Sequence, residues 1–271
     1  MKFSVLMSVY VKETSFNLDL CFKSLQKQTV KADELVLVVD GPISKDLEDV
    51  IIRYKDFLNI IPIYLEKNVG LGKALSIGLT HCNNEIIARM DSDDICRENR
   101  FELQLNKIEK NPDIRVLGTG VSEFDPLGNV REKILPENYF EIKKFIKKKN
   151  PINHMTVMFY KQDILDVGGY QHHLYMEDYN LWIRLVAKNI KFHNLLDICV
   201  DVRVGEEMIS RRRGAIYIKS EYQLYRLKNN LNITKGIEGI IYFVSRSFLR
   251  ILPPKIITRI YNFSRRNNNA L

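Results

Sequence analysis

Residues able to do chemistry crowd into one short stretch. Asp91, Asp93 and Asp94 follow the apolar run Ile86-Ile87-Ala88-Arg89-Met90, with only Ser92 among them. Carboxylates this close repel one another unless a cation lies between them. Hard divalent ions such as Mg²⁺ or Mn²⁺ take oxygen ligands and are held by one or two carboxylates together with substrate phosphates. Asp91 and Asp93 therefore read as a metal bridge to a phosphorylated substrate. The competing reading is a solvated turn capping the next helix, a common place for Asp. An EF-hand loop is excluded, because Ile95 and Cys96 fall where it needs an oxygen ligand and a Gly. A second acidic pair, Glu177-Asp178, opens a stretch in which Leu181, Trp182, Leu185 and Val186 recur at helical spacing. Acids in a first turn meet the helix dipole favourably, and the same field keeps a carboxylate ionised and ready to accept a proton. His154 reads as a satisfied loop histidine.

The elements that must position these groups follow from periodicity. The run ending at Asp91 is a buried strand, and open α/β sheets place ligands at the carboxyl ends of such strands. Further strands over 3–10, 34–39 and 60–66 alternate with helical patterns over 17–29 and 44–58 and a third that a glycine-bearing loop over 68–73 opens and that runs through Cys82. That alternation predicts βαβ units, a parallel sheet and right-handed crossovers. Ser8 and Tyr10 end the first strand and Asp40 ends the second, so three strand ends carry ligand-type residues. The loop Gly70-Leu71-Gly72-Lys73 is neither GxGxxG nor a P-loop. It is a simple turn, or one whose Lys73 reaches a phosphate. The second half reads as a helix over 99–110, a strand over 115–121, a hairpin into 130–135, a basic amphipathic helix over 138–149, a strand over 155–160 and a helical turn over 163–167. The lysines of 138–149 are expected to form a solvated face.

The chain has 271 residues, 45% of them hydrophobic, enough for one large α/β domain or a domain with an appendage. The first apolar run is short and lacks a small-residue cleavage site, so it is read as a strand and not a signal peptide. Four scattered cysteines without a CxxC point to buried thiols in a reducing compartment. The net charge of +8 is uneven. From Tyr222 onward nine Lys/Arg face one acid; taking these from the 41 basic and 33 acidic residues leaves 32 of each sign before it. Ile237, Ile240, Ile241, Val244, Phe248 and Leu249 form an apolar stripe beside Arg246 and Arg250, too interrupted to span a bilayer but suited to an interfacial helix.

The ordered set Ser8-Val9-Tyr10, Gln28-Thr29, Val39-Asp40-Gly41, Asn68-x-Gly70-x-x-Lys73, Asp91-Ser92-Asp93-Asp94, Gly168-Gly169 and Glu177-Asp178-Tyr179-x-Leu181-Trp182 resembles family 2 glycosyltransferases, of the kind that builds bacterial O-antigen, capsule or exopolysaccharide. The resemblance covers about residues 1–215. It implies an α/β GT-A fold, a Rossmann-like, mostly parallel sheet flanked by helices. Residues 1–95 would be the nucleotide-binding half and 96–215 the acceptor-binding half, with 216–271 a basic, helical, membrane-associating extension. The implied reaction is inverting transfer of one sugar from a nucleotide-sugar, a UDP-sugar by the family pattern, to a lipid-diphosphate-linked saccharide. Ser8, Tyr10, Glu13, Asp40, Asn68 and Lys73 would face the donor. Asp91 and Ser92 would lie at the ribose-diphosphate, and Asp91 and Asp93 would hold Mn²⁺ or Mg²⁺. Asp178 would be the general base, with Glu177 positioning the loop or the acceptor. A single Asp40 before Gly41-Pro42 departs from the frequent Asp-Asp-Gly-Ser pattern. The processive QxxRW motif is absent, which fits single-sugar addition. The Arg211–Arg213 triplet is a candidate diphosphate contact. The expected setting is the cytoplasmic side of the cell membrane, as a peripheral protein on an anionic surface, with no nucleic acid among the partners. The alternatives are a non-catalytic partner of a polysaccharide assembly complex and a sugar-phosphate nucleotidyltransferase.

Overall fold

A computed structural model describes residues 1–125, 127–205 and 214–251. Its organising strand is β1 (Phe3–Val9), which is apolar on both faces because it is covered on both. Phe3, Val5, Met7 and Val9 enter one core layer and Leu6 the other. β2 (Glu34–Val39) lies parallel on one side of β1, with β3 (Ile60–Tyr64) parallel beyond it, and β4 (Ile86–Arg89) lies parallel on the other side. The chain thus runs outward from β1 to β3 and then returns across β1 to β4. The crevice between β1 and β4 is a topological switch point, where such sheets bind ligands.

The crossovers are α1 (Ser15–Gln26), α2 (Lys45–Tyr54) and α3 (Leu71–His81). Thr14 and Ser44 cap the first two through their hydroxyls, whereas α3 starts at Gly70 with no side-chain cap. α3 lies so close to the sheet that a Cβ on Gly78 would sit 2.6 Å from side-chain atoms of both Leu6 and Val38. All four cysteines are buried and unbridged.

After β4 come β5 (Ile95–Cys96), α4 (Arg100–Lys110), β6 (Val116–Phe124), β7 (Val130–Lys133), α5 (Tyr139–Phe145), β8 (Met158–Tyr160), α6 (Lys161–Asp166), α7 (Glu177–Ala187) and β9 (Phe192–Arg203). β8 is antiparallel to β4 and β6, β6 is parallel to β9, and β9 is antiparallel to β5. The parallel order expected from the sequence therefore holds for β3-β2-β1-β4, and the sheet becomes mixed beyond it. β9 has no counterpart among the expected strands, since its buried residues are interrupted by exposed Asp197 and half-buried Asp201. The helix expected over 138–149 is regular only to Phe145 and continues as a turn.

α8 (Gly214–Asn230) and α9 (Ile237–Ile251) close the described chain. Tyr217 and Leu224 of α8 join the core layer that contains α7. Lys228 is buried and donates to Tyr179 Oη at 2.8 Å and to the Lys147 carbonyl at 2.9 Å. Arg246 of α9 grips buried Glu221 through Nε (2.6 Å) and Nη2 (2.9 Å), and Arg250 approaches the same carboxylate at 3.5 Å. The arginines that the sequence places beside the apolar stripe are thus turned inward, while Ile237, Ile240, Ile241, Val244 and Phe248 face outward. No helix among the described residues is long and apolar enough to cross a membrane. The Arg211–Arg213 triplet and residues 252–271 lie outside the described residues.

Candidate active site

Ser8, Asp40 and Asp91 mark the carboxyl ends of β1, β2 and β4, with Tyr10 just beyond β1. Asp40 is buried, and its two oxygens accept the backbone N–H groups of Val69 (2.7 Å) and Gly70 (3.1 Å). Asn68 Nδ2 donates to the Asp40 carbonyl at 3.2 Å. Asp40 thus holds the loop that opens α3. Gly41 allows the approach, since at its φ of +86° a Cβ would lie 2.6 Å from the Asn68 nitrogen. Lys73 stands exposed on the first turn of α3, beside the uncapped N–H groups of that helix. Such a helix start is suited to a phosphate.

The acidic stretch is built on buried support. Arg89, at the end of β4, is 1% exposed and forks onto Asp91, Nη1 donating to Oδ2 at 2.7 Å and Nη2 to Oδ1. Arg100 of α4 donates to the Arg89 carbonyl at 2.7 Å and to Gln104 Oε1 at 3.0 Å, which fixes the strand end. Ser92 Oγ donates to Glu13 Oε2 at 2.7 Å and so ties the loop after β1 to the loop after β4. One carboxylate oxygen from each of Asp91, Asp93 and Asp94 lies within 4.8 Å of the others. Burial, then the charges of Asp91 and Glu13, push Asp93 up to about 6. Burial, then Asp91 and Asp93, push Asp94 well above the carboxylate range. Asp94 Oδ1 accepts from the Arg203 N–H at 2.9 Å, while its buried Oδ2 has no hydrogen-bond partner among the described residues. A crowded, oxygen-only set with an orphaned buried oxygen fits a hard divalent cation, with Asp94 added to the expected Asp91 and Asp93.

Glu177 and Asp178 occupy the first turn of α7, whose other face is fixed by fully buried Trp182 and Leu185. The two carboxylates meet different surroundings. Asp178 Oδ2 accepts from Asn150 Nδ2 at 2.6 Å, and Oδ1 accepts from the Tyr179 N–H at 2.7 Å. Glu177 packs against Gly72 of α3, and its Oε2 is buried without a partner among the described residues. The helix field was expected to keep a carboxylate here ionised; for Glu177 burial wins and pushes it up to about 7. The buried Tyr170 phenol feels Arg89, Asp178, Asp91 and Glu177 together, so the two acidic motifs share one neighbourhood. His154 Nε2 lies 2.8 Å from Tyr170 Oη, and burial, then Arg89, hold the imidazole well below its usual range. It is neutral and satisfied, as expected, but buried in a short 3₁₀ turn and not in an open loop. Sequence gives no role to Arg89, Tyr170 or Asn150, and counts Asp94 among the crowded acids without making it a metal ligand. Arg89 and Asp94 lie inside the conspicuous stretch, but nothing local marks Asn150.

A parallel half-sheet with carboxylates at its switch point, joined to a mixed half carrying a second acidic pair, is the GT-A fold. The solved structure of S. aureus TarS 1–349 in complex with UDP-GlcNAc shares it, with a TM-score of 0.70 over 92% of this chain and 73% of that one, at 20% identity. The model of Glycosyl transferase family 2 matches residues 4–169, and the chain belongs to that family. It is 47% identical to the amylovoran biosynthesis glycosyltransferase AmsE of Erwinia amylovora, over 97% of this chain and 99% of the relative. It is 38% identical to an Escherichia coli UDP-Gal:alpha-D-GlcNAc-diphosphoundecaprenol beta-1,3-galactosyltransferase, over 96% and 95%.

Proposed function

We propose that this glycosyltransferase adds one sugar from a UDP-sugar to a lipid-diphosphate-linked saccharide, with inversion, during assembly of a bacterial surface polysaccharide. The observation that carries this reading is the pair of acidic groups around Tyr170, one crowded for a cation and one whose Asp178 is held by an amide and a backbone N–H. The relatives' names support the donor and acceptor classes. Asp91, Asp93 and Asp94 would hold Mn²⁺ or Mg²⁺, with Asp91 steadied by Arg89. When bound, the cation supplies Lewis-acid stabilisation of the departing diphosphate. Lys73 and the uncapped start of α3 offer positive charge to the same group. Ser8, Tyr10 and Glu13 border the crevice in which the nucleoside sits, and Asp40 shapes its wall through Asn68–Gly70. Asp178, its oxygens oriented by Asn150 and by the α7 backbone, removes the proton of the acceptor hydroxyl as that oxygen attacks the anomeric carbon. The enzyme works on the inner face of the cell membrane, bound through its C-terminal helices.

The test is release of UDP from a panel of UDP-sugars with a short-chain lipid-diphosphate-GlcNAc acceptor. The parent should turn over one donor. Asp178→Asn should lower kcat by about 10²–10⁴-fold while its affinity for UDP with metal stays unchanged. Loss of UDP binding together with rate would make Asp178 a donor-site or structural residue.

A further inference from the structure

Three of the described cations of the C-terminal helices are turned away from solvent, while Lys219, Arg226 and Lys235 are exposed. Arg246 and Arg250 face Glu221, and Lys228 is buried against Tyr179. Further positive charge reaches the exposed face of α9 from a distant part of the chain. Lys147, in the turn after α5, bonds Glu238 of α9 at 3.1 Å, and the Lys148 ammonium lies 5.9 Å from the Tyr242 ring centre. Arg246 Nη1 donates to the Lys148 carbonyl at 2.9 Å. At about 100° per residue, Glu238 and Tyr242 sit roughly a third of a turn from the centre of the outward stripe Ile237, Ile241, Val244 and Phe248. The α5 segment therefore flanks an apolar ridge. It exposes Lys143, Lys144, Lys148 and Lys149. It also exposes Phe140, 67% accessible, with the Lys144 ammonium 3.9 Å from its ring centre. Ile142 and Ile146 on the opposite side are fully buried, so this face has no role in the core.

We propose that the Phe140–Lys149 segment and the outward face of α9 form one docking surface for an anionic lipid bilayer, with α5 supplying the charge and α9 most of the apolar area. The inference rests on the reading of the chain as a membrane-bound transferase, and it makes the lysine run a working surface instead of a solvated face. Charge selects the occupant. A symmetric pair of chains would set this patch against itself, lysines facing lysines, whereas anionic headgroups complement it. The surface also leads directly to the chemistry. Lys149 is followed by Asn150, whose side chain holds Asp178, so the base lies one hydrogen bond beyond the residue next to the lipid contact. A lipid-linked acceptor would meet the base on that side.

Flotation of the full chain with phosphatidylcholine vesicles, with or without phosphatidylglycerol, tests this. Capture should require the anionic lipid and weaken with salt. Each lysine near such a surface is worth about fivefold in partitioning. The triple variant Lys144→Glu/Lys148→Glu/Lys149→Glu should therefore lose on the order of 100-fold, and Phe140→Ser about tenfold. Both should keep parental UDP release with a water-soluble acceptor, which shows that they fold. Triple-variant flotation equal to the parent's would overturn the proposal and leave the C-terminal helices as sole anchor. A parent that ignores vesicles but sediments as a dimer would also overturn it, in favour of a second copy as occupant. Absence of UDP release from every donor would defeat the proposed reaction and leave the flotation result standing.

Discussion

Two acidic motifs serve this molecule, and the chain builds them in opposite ways. Asp91, Asp93 and Asp94 follow a strand, where the chain turns and crowds three carboxylates within 4.8 Å. Glu177 and Asp178 are adjacent on a helix, where successive side chains diverge by about 100°. Crowding makes mutual repulsion part of the first site, visible in Asp93, which burial and then Asp91 and Glu13 push up to about 6. Divergence lets the second site separate its two acids. Glu177 enters a buried position against Gly72 and rises to about 7, while Asp178 keeps two donors aimed at its oxygens. A set of carboxylates that repel one another suits a cation; a carboxylate held singly by neutral donors suits a proton.

The largest effect should come from the crowded site. Asp93→Ala should reduce transfer to background, and chelation by EDTA should do the same to the parent, reversed by Mn²⁺ or Mg²⁺. Full turnover in chelator would return the stretch to a helix cap and erase the contrast with α7. In chelator the variant should unfold at no lower urea concentration than the parent, because it relieves like-charge crowding.

A smaller effect sharpens the other side. Asn150→Ala removes the donor on Asp178 Oδ2. A hydrogen bond to a charged group contributes on the order of 1.5–3 kcal/mol, and water replaces part of it at this half-buried position. The expected outcome is a roughly tenfold lower kcat, with the acidic limb of the pH–rate profile moved upward and UDP affinity kept. An unchanged profile would mean that Asn150 shapes the loop without orienting the base.

The smallest effect concerns Glu177 and is read as stability. Near pH 3 the carboxyl is protonated in both folded and unfolded chains, and burial costs nothing extra. Between its unfolded value and about 7 the folded chain binds a proton that the unfolded chain has released, so stability falls as pH rises through that window. Above it the full penalty is present. Glu177→Gln lacks the penalty and should be about 3 kcal/mol more stable than the parent near pH 8, and equal to it near pH 3, by urea denaturation. A difference independent of pH would show that burial of the charge is not what separates Glu177 from Asp178.

The parallel half was legible because its signals are local. A run such as Glu34–Val39 can only be a strand covered on both faces, and a polar residue at its end can only sit at the sheet's edge. The strand ends at Ser8, Asp40 and Asp91 were placed on that basis, as was the helix that begins at Glu177 and is anchored by Trp182. The partners of these groups were not legible. Asn150 meets Asp178 across 28 residues, Glu13 meets Ser92 across 79, and Arg203 reaches Asp94 across 109. β9 escaped notice because its side chains mix buried and exposed positions along one strand, so no period of two emerges.

By itself the sequence determined the strand-and-helix alternation, the carboxylates at the ends of β1, β2 and β4, the acidic start of α7, and the charge excess of the C-terminal segment. These depend on neighbours a few residues apart. Tertiary structure alone decided that of two adjacent acids Glu177 is buried and Asp178 is met by two donors. It paired Arg89 with Asp91 and left a buried Asp94 oxygen without a hydrogen-bond partner among the described residues. It also turned Arg246 and Arg250 onto Glu221, so that the apolar side of α9 faces out next to lysines about a hundred residues earlier in the chain. The reason is one of range: composition fixes how much charge a segment carries, but the direction of each charge depends on the partner that packing brings to it, and here Glu221 lies buried within reach of both arginines.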